Sequence, residues 1–385
     1  MSIQRDDLRG TWAIDRESDW PSTRRDAHSQ HALEMGLDSA ASVRDRKIPL
    51  FNRGSGMPLG GGTFMGVEFL EDMRALGGQD VAFVGVPLDT GTTYRAGTRF
   101  GPLGMRSISS LCSGYNPSMG VDLVESLRMV DVGDVSVIPA NIEKSFDQID
   151  LAVHYVHERA VFPVVLGGDH SIGYPDVRGL APLVDGNVGI IHFDRHSDLS
   201  EYNMDERMHG TPFFHATNIQ NAPPENLVQI GIGGWVGSRD GLRIARERRA
   251  SVITLEDVDQ YGIDRVAEYA LEIAWKNAKC VWLSFDIDSV DPAFAPGTGT
   301  PEPGGFLPRE VLRLIKLITR EGLAGMEVVE VSPPYDVADI TSLLGSRVIM
   351  DVLAGLVTAG KLGHLPAHDE TTSNDGGAQV PDTQT

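Results

Sequence analysis

Three short polar segments, each directly after an apolar run, carry the residue types that hold divalent metal ions. FPVVL leads into GGDH and ends at His170, VGIIHF leads into DRHSD with Asp194, His196 and Asp198, and VWLSF leads into DID with Asp286 and Asp288. An extended D-x-H-x-D turns its first, third and fifth side chains to one side, because successive strand residues alternate. On that expectation Asp194, His196 and Asp198 converge on one point. Asp286 and Asp288 join them from another strand, and His170 adds an imidazole. Two His and four Asp are more ligands than one divalent ion takes from protein alone, and they suit two ions that share bridging carboxylates. Four carboxylates balance two dications; without metal they repel, and some must take up protons. Taken singly, each Asp could cap a turn and each His could be a satisfied buried group. The metal reading rests on all six standing at three matching strand ends.

Two ions about 3.5–4 Å apart lower the pKa of a shared water towards neutrality, so the reaction class is hydrolysis of an unreactive carbon or phosphorus centre. Glu330 ends another apolar run, in VVEVSPPYD, and could place a carboxylate at the same mouth. Such a carboxylate repels phosphate and attracts a cation, which weighs against phosphoesters. His209, in the loop-like MHGTPFFHA, titrates near neutral pH and could protonate a leaving amine. A two-metal phosphoesterase would want a further Asn–His pair and cationic groups, a set not found here. A one-zinc deacetylase would use fewer ligands, and a noncatalytic partner subunit of a hetero-oligomer would have lost some of them.

The elements that must position these residues are legible as runs. Continuous apolar stretches at Val81–Val86, Met129–Val132, Phe162–Leu166, Val188–Phe193, Leu227–Ile232, Ser251–Leu255, Val281–Phe285 and Gly325–Val331 suit strands buried on both faces. Helical periodicity over Ile142–Ala160, 264–278, Arg309–Arg320 and Ile340–Leu356 alternates with them. The alternation predicts an α/β fold with right-handed crossovers and one mainly parallel sheet, whose carboxyl edge is where chemistry sits.

The 385 residues include 33 Lys+Arg and 54 Asp+Glu, a formal charge of −21 that repels nucleic acid and attracts small cations. Only Cys112 and Cys280 occur, which gives no disulfide framework. No apolar stretch is read as reaching the ~18 residues of a membrane helix, and MSIQRDDLRG lacks a signal-peptide core, so a cytoplasmic location is expected. Residues 1–75 read as a polar extension wrapped on a catalytic domain at 76–362, followed by a disordered tail at 363–385.

In order along the chain, PLDTGTTYRAGTRFGP, VVLGGDHS, HFDRHSD, HGTPF, SFDIDSVDPAFAPGTGTPEPGG and VVEVSPPYD resemble the ureohydrolases: arginase, agmatinase, guanidinobutyrase and guanidine hydrolase. The resemblance implies a three-layer α/β/α arginase-like fold with a mainly parallel eight-stranded sheet, assembled as a homo-trimer or homo-hexamer. By position it implies His170, Asp194, Asp198 and Asp286 around one ion and Asp194, His196, Asp286 and Asp288 around the other, with Asp194 and Asp286 bridging. His209 takes the place of the proton-transfer histidine, and Glu330 that of the carboxylate holding the guanidinium. Two Mn²⁺ ions, or Ni²⁺ as in the guanidine hydrolase branch, are the implied cofactors. The implied reaction releases urea, with ammonia or an amine, from a small cationic guanidino compound. Guanidine or an alkylguanidine is favoured over agmatine or 4-guanidinobutyrate, because GIGGWVGSR and the long amino-terminal extension look most like that branch. Two departures stand out. Arg195 replaces a small residue in D-A-H-x-D, and by alternation points away from the metals toward a supporting or subunit-contact role. Trp235 stands beside a missing Arg, where it either packs a loop or narrows the pocket.

Overall fold

The computed structural model describes Phe51–Asn52 and residues 62–237 and 239–364. Among these residues the strands are β1 (Phe51–Asn52), β2 (Glu68–Phe69), β3 (Val81–Gly85), β4 (Tyr115–Asn116), β5 (Val121–Asp122), β6 (Met129–Val135), β7 (Phe162–Leu166), β8 (Asn187–Phe193), β9 (Leu227–Ile232), β10 (Ser251–Thr254), β11 (Ala278–Asp286) and β12 (Gly325–Val329). The main sheet runs β1-β6-β3-β7-β12-β11-β8-β9-β10, with β2 also on β6, while β4 and β5 form a separate hairpin. All eight expected strands are present. The sheet has ten because two two-residue strands join at β6, β2 in parallel and β1 antiparallel. Two residues are too few to show a period in sequence.

Side-chain alternation along the strands splits the apolar interior into two layers. Val81 and Phe83, with Val281, Leu283 and Phe285, face the helices Gly101–Ser109, Ile263–Ala274, Pro308–Ile318 and Ile340–Thr358. Ala82 and Val84, with Trp282, face Ile142–Glu158, Gly173–Leu180, Pro212–Ala216 and Arg239–Arg248. Neighbouring strands in the path are parallel except at β1, so the ends of β7, β8, β11 and β12 lie together at one edge.

One sequence expectation needs correction. The 19-residue helix Ile340–Thr358 is long and apolar enough to cross a membrane by length and composition. It is instead mostly buried, with Val348, Ile349, Val352 and Leu353 in the core, so its apolarity comes from packing against protein. Both cysteines are free. Of the expected extension, residues 1–50 and 53–61 lie outside the described residues, whereas Phe64, Leu70 and Met73 are buried against the sheet. The tail from residue 365 also lies outside them.

Close approach at the active edge demands one particular glycine. A Cβ on Gly168 would be driven into the backbone carbonyl of Leu88, which cannot turn away as a side chain could. Gly168→Ala is therefore expected to lower stability by about 2–3 kcal/mol, an overpacking cost. Gly78→Ala, where a Cβ meets nothing within 4 Å, serves as control. Urea unfolding midpoints check the difference, and equal midpoints would refute it.

Candidate metal centre

The six expected ligands come together at the ends of β7, β8 and β11. His170 Nδ1 lies 3.0 Å from Asp194 Oδ2, 3.1 Å from Asp198 Oδ2 and 2.9 Å from Asp286 Oδ2. His196 Nδ1 lies 3.3 Å from Asp194 Oδ1 and 3.1 Å from Asp288 Oδ2. Asp194 thus offers one oxygen to each imidazole.

The route to convergence differs from the expected extended chain. β8 ends at Phe193, and the His196 backbone N–H folds back to donate to Asp194 Oδ1. Asp198 has φ +44°, a left-handed conformation that turns its carboxylate inward and that non-glycine residues rarely adopt. Asp286 closes β11 and accepts from the backbone N–H of Asp288, which sits in the 3₁₀ turn Ile287–Ser289. Turns, rather than strand alternation, aim these carboxylates.

The cluster fits a cation better than it fits protons. A single N–H on His170 Nδ1 cannot serve three carboxylates, and that nitrogen makes no regular hydrogen bond although it is buried. Burial alone would lower the His170 imidazole, but Asp194, Asp198 and Asp286 drive it well above its ordinary range. Burial also opposes charge on His196, and Asp288 and Asp194 overcome it. Burial and then Asp288 and Asp194 push Asp286 well up, while burial takes Asp288 to about 6. Asp194 alone goes well below the usual carboxylate range: hydrogen bonds from His170, His192 and His196 overcome its burial. Protons are recruited wherever carboxylates outnumber donors, which is what a bound dication relieves.

A polar row beneath the cluster escaped the sequence reading. Gln229, His192, Ser284 and Glu327 occupy matched positions on β9, β8, β11 and β12, all fully buried. His192 Nε2–H donates to Asp194 Oδ2 at 2.9 Å, and its Nδ1 accepts from Gln229 Nε2 at 2.9 Å. With both nitrogens engaged, His192 steadies Asp194 and is not itself a ligand, although it lies close enough to be grouped with them. Ser284 Oγ lies 2.8 Å from His170 Nε2 and fixes the ring with Nδ1 toward the carboxylates. The available signal was one polar residue interrupting each strand at the same register.

Glu330 follows β12 with φ +62°, and its backbone N–H donates to Gly168 O. Its Oε1 accepts from the His170 N–H at 2.9 Å and lies 3.0 Å from His209 Nδ1. Its Oε2 is buried and unpartnered. Burial opposes charge on His209, but the Glu330 carboxylate takes the ring to about 9. Thr93, also missed in sequence, holds the other side of the ring: its backbone nitrogen lies 3.2 Å and its Oγ1 2.8 Å from Nε2.

Arg195 is buried and points away from the ligands, as expected. Its partners are carbonyls of its own chain, Gly231 O at 2.7 Å and Pro303 O at 3.3 Å, and its backbone N–H donates to Asp288 Oδ1 at 3.3 Å. Trp235 fits neither expected role. It is 95% exposed, and the cavity wall at this point is Val236 and Gly237. That cavity, about 460 Å³, opens over His196, Asp198, Asp286 and Asp288 and is also lined by Thr93 and His209.

The model for the arginase family matches residues 79–355. Human mitochondrial guanidino acid hydrolase is 37% identical over 281 residues, covering 72% of this chain and 79% of the relative. Guanidinobutyrase of Pseudomonas aeruginosa is 35% identical over 306 residues, covering 79% and 95%. The solved structure of proclavaminate amidinohydrolase from Streptomyces clavuligerus superposes with a TM-score of 0.72 at 34% identity, covering 81% of this chain and all of that one. The chain belongs to the arginase family. It is a ureohydrolase with a His/Asp cluster for metal binding and the arginase-like α/β fold.

The His209–Glu330 contact makes stability depend on pH in a defined direction. Because the folded-state value of about 9 lies above the ordinary 6.5, the stabilisation is fully present below about pH 6.5 and disappears as pH rises through about 9. In chelator-treated protein, the melting advantage of the parent over His209→Asn should shrink between pH 6.5 and 9.5. An advantage that holds steady or grows over that interval would contradict the assignment.

Proposed function

We propose that the chain hydrolyses the C–N bond of a small guanidino compound, giving urea and ammonia or an amine, with two divalent ions, Mn²⁺ or Ni²⁺. One observation carries the reading: the Glu330 carboxylate stands beside the ligand cluster with Oε1 engaged and Oε2 buried without a partner. A guanidinium is planar, delocalised and always charged at neutral pH, and its N–H groups match such an oxygen. His170, Asp194, Asp198 and Asp286 would hold one ion, and Asp194, His196, Asp286 and Asp288 the other. Bound there, the pair activates water for attack at neutral pH.

The remaining steps belong to protein groups. Glu330 orients the substrate plane and keeps its carbon facing the cluster, converting a bimolecular encounter into a positioned one. His209, protonated against Glu330, supplies the proton that the departing nitrogen needs. Asp198 and Asp194 keep their geometry through the Phe213 N–H on Asp198 O and the His192 ring on Asp194.

Guanidine or an alkylguanidine remains the first candidate from the motif pattern. The cavity supports a second reading, agmatine or 4-guanidinobutyrate, because about 460 Å³ leaves room for a tail. The proposal includes assembly as a homo-trimer or homo-hexamer. An apolar groove on the chain, lined by Leu111, Tyr115, Phe294, Ile340 and Leu343, supports self-association.

A urea-release panel over guanidine, methylguanidine, agmatine, 4-guanidinobutyrate and arginine, run separately with Mn²⁺ and Ni²⁺, tests substrate and metal together. Asp286→Asn should remove activity, and Glu330→Gln should cut kcat/KM about 10- to 100-fold, the size of a lost hydrogen bond to a charged group. An active preparation with fewer than two ions per chain would rule out the dinuclear arrangement. Urea formation from none of the five compounds would overturn the reading.

A further inference from the structure

We propose that the Thr93 hydroxyl is the group through which His209 passes its proton to the departing nitrogen. The inference rests on the proton-transfer role given to His209 above.

The two ring nitrogens of His209 face different surroundings. Nδ1 is 3.0 Å from Glu330 Oε1 in the buried interior, where a carboxylate oxygen can only accept from it. Nδ1 therefore keeps its hydrogen, and the exchangeable position is Nε2. Directly beyond Nε2 stands Thr93 Oγ1 at 2.8 Å, and Thr93 lines the cavity. A proton leaving Nε2 thus meets this hydroxyl first.

The contact is built from two directions. The backbone N–H of His209 donates to Gly91 O at 2.9 Å, and the Gly91 N–H donates to Asp169 Oδ2 at 2.7 Å, which ties the threonine loop to the histidine loop. A Cβ at Gly91 would press on Ser171 and Asp169, so the loop sits close for want of a side chain. The neighbouring Thr90 and Thr92 hydroxyls are buried without partners and do not reach the ring, which singles out Thr93 among the three.

The same residue also sets the direction of transfer. With the ring charged, Nε2–H donates to Oγ1, and the Thr93 O–H is free to turn to the cavity. As the C–N bond breaks, its electron pair stays on the departing nitrogen. That nitrogen takes the Oγ1 proton, and Oγ1 takes the Nε2 proton. The neutral ring that results accepts from the Thr93 backbone N–H, 3.2 Å from Nε2, a bond open only to the unprotonated nitrogen. Glu330 favours the charged ring before transfer, and the Thr93 N–H favours the neutral ring after it.

The test compares Thr93→Val, Thr93→Ser, His209→Asn and Thr93→Val/His209→Asn with the parent, using the panel compound that releases most urea. Metal content and melting midpoint are measured alongside kcat and KM. Thr93→Val should lower kcat about 100-fold, the lower end of what positioned proton transfer contributes, with KM within about twofold and metal content unchanged. Thr93→Ser should return kcat to within about twofold of the parent, and the double variant should fall no further than His209→Asn, as groups on one path do. The inference is overturned if Thr93→Val keeps its kcat while His209→Asn loses it, or if Thr93→Ser is as slow as Thr93→Val. If His209→Asn itself keeps full activity, the proton-transfer role fails first.

Discussion

One imidazole nitrogen faces three carboxylate oxygens at the end of a parallel sheet, and its single proton cannot serve all of them. The rest of the active edge follows from that excess. Asp194 is buried but supplied with several donors, and it is the one pushed down; burial pushes Asp286 and Asp288 up, helped at Asp286 by the charges of Asp288 and Asp194 and at Asp288 by those of Asp194 and Glu330. Like charges held together in a poorly solvated place need a fixed frame, because each would otherwise swing toward water. The frame is the polar row one layer below, where Gln229 holds His192, His192 holds Asp194 and Ser284 holds His170.

Much of this was legible in the sequence, for a physical reason. Strands buried on both faces tolerate polar residues poorly, so GGDH, DRHSD and DID stand out against the runs before them, and the six side chains could be chosen without coordinates. What stayed hidden depends on geometry that composition does not encode. The D-x-H-x-D segment was expected to remain extended, yet the chain leaves the strand at Phe193 and reaches the same point through a turn and a left-handed Asp198. His192 and Gln229 lie inside runs taken as continuously apolar, and only strand register shows that they stand side by side. Thr93 was one threonine among several, and only the packing of two distant loops brings it to His209. Helix Ile340–Thr358 is legible as a helix, whereas the protein that covers most of its apolar length shows only in the packing.

The substrate side of the site is held by strain as well as by bonds. Glu330 and Asp198 both adopt positive φ, a cost of about 1 kcal/mol or more for a non-glycine residue, and both stand where chemistry is proposed. For Glu330 the return is visible. The twist after β12 sends the carboxylate back across the ends of β7 and β12, where its Oε1 meets the His170 N–H and the His209 ring. A relaxed backbone at that residue would aim the side chain elsewhere. Its neighbour Gly299, where a Cβ would come within 3.3 Å of Oε2, keeps a side chain away from that oxygen.

Arg195 shows how the cavity wall is joined to the metal ligands. A buried guanidinium facing carbonyls rather than a carboxylate is unusual, since burying a cation costs more than two neutral acceptors return. Its setting gives a reason. The peptide that carries it donates its N–H to Asp288, and its side chain reaches the carbonyls of Gly231 and Pro303. Glu302, next to Pro303, accepts from the backbone of Val236 in the cavity wall. The loops that shape the cavity are thereby joined by hydrogen bonds to the segment whose backbone N–H reaches Asp288. A small residue at this position would keep the backbone bonds to Asp288 and Gly233 and lose the two side-chain bonds to Gly231 and Pro303. What the guanidinium adds is therefore a bridge between the end of β9 at Gly231 and the loop at Pro303, anchored on the segment that carries the ligands Asp194 and His196.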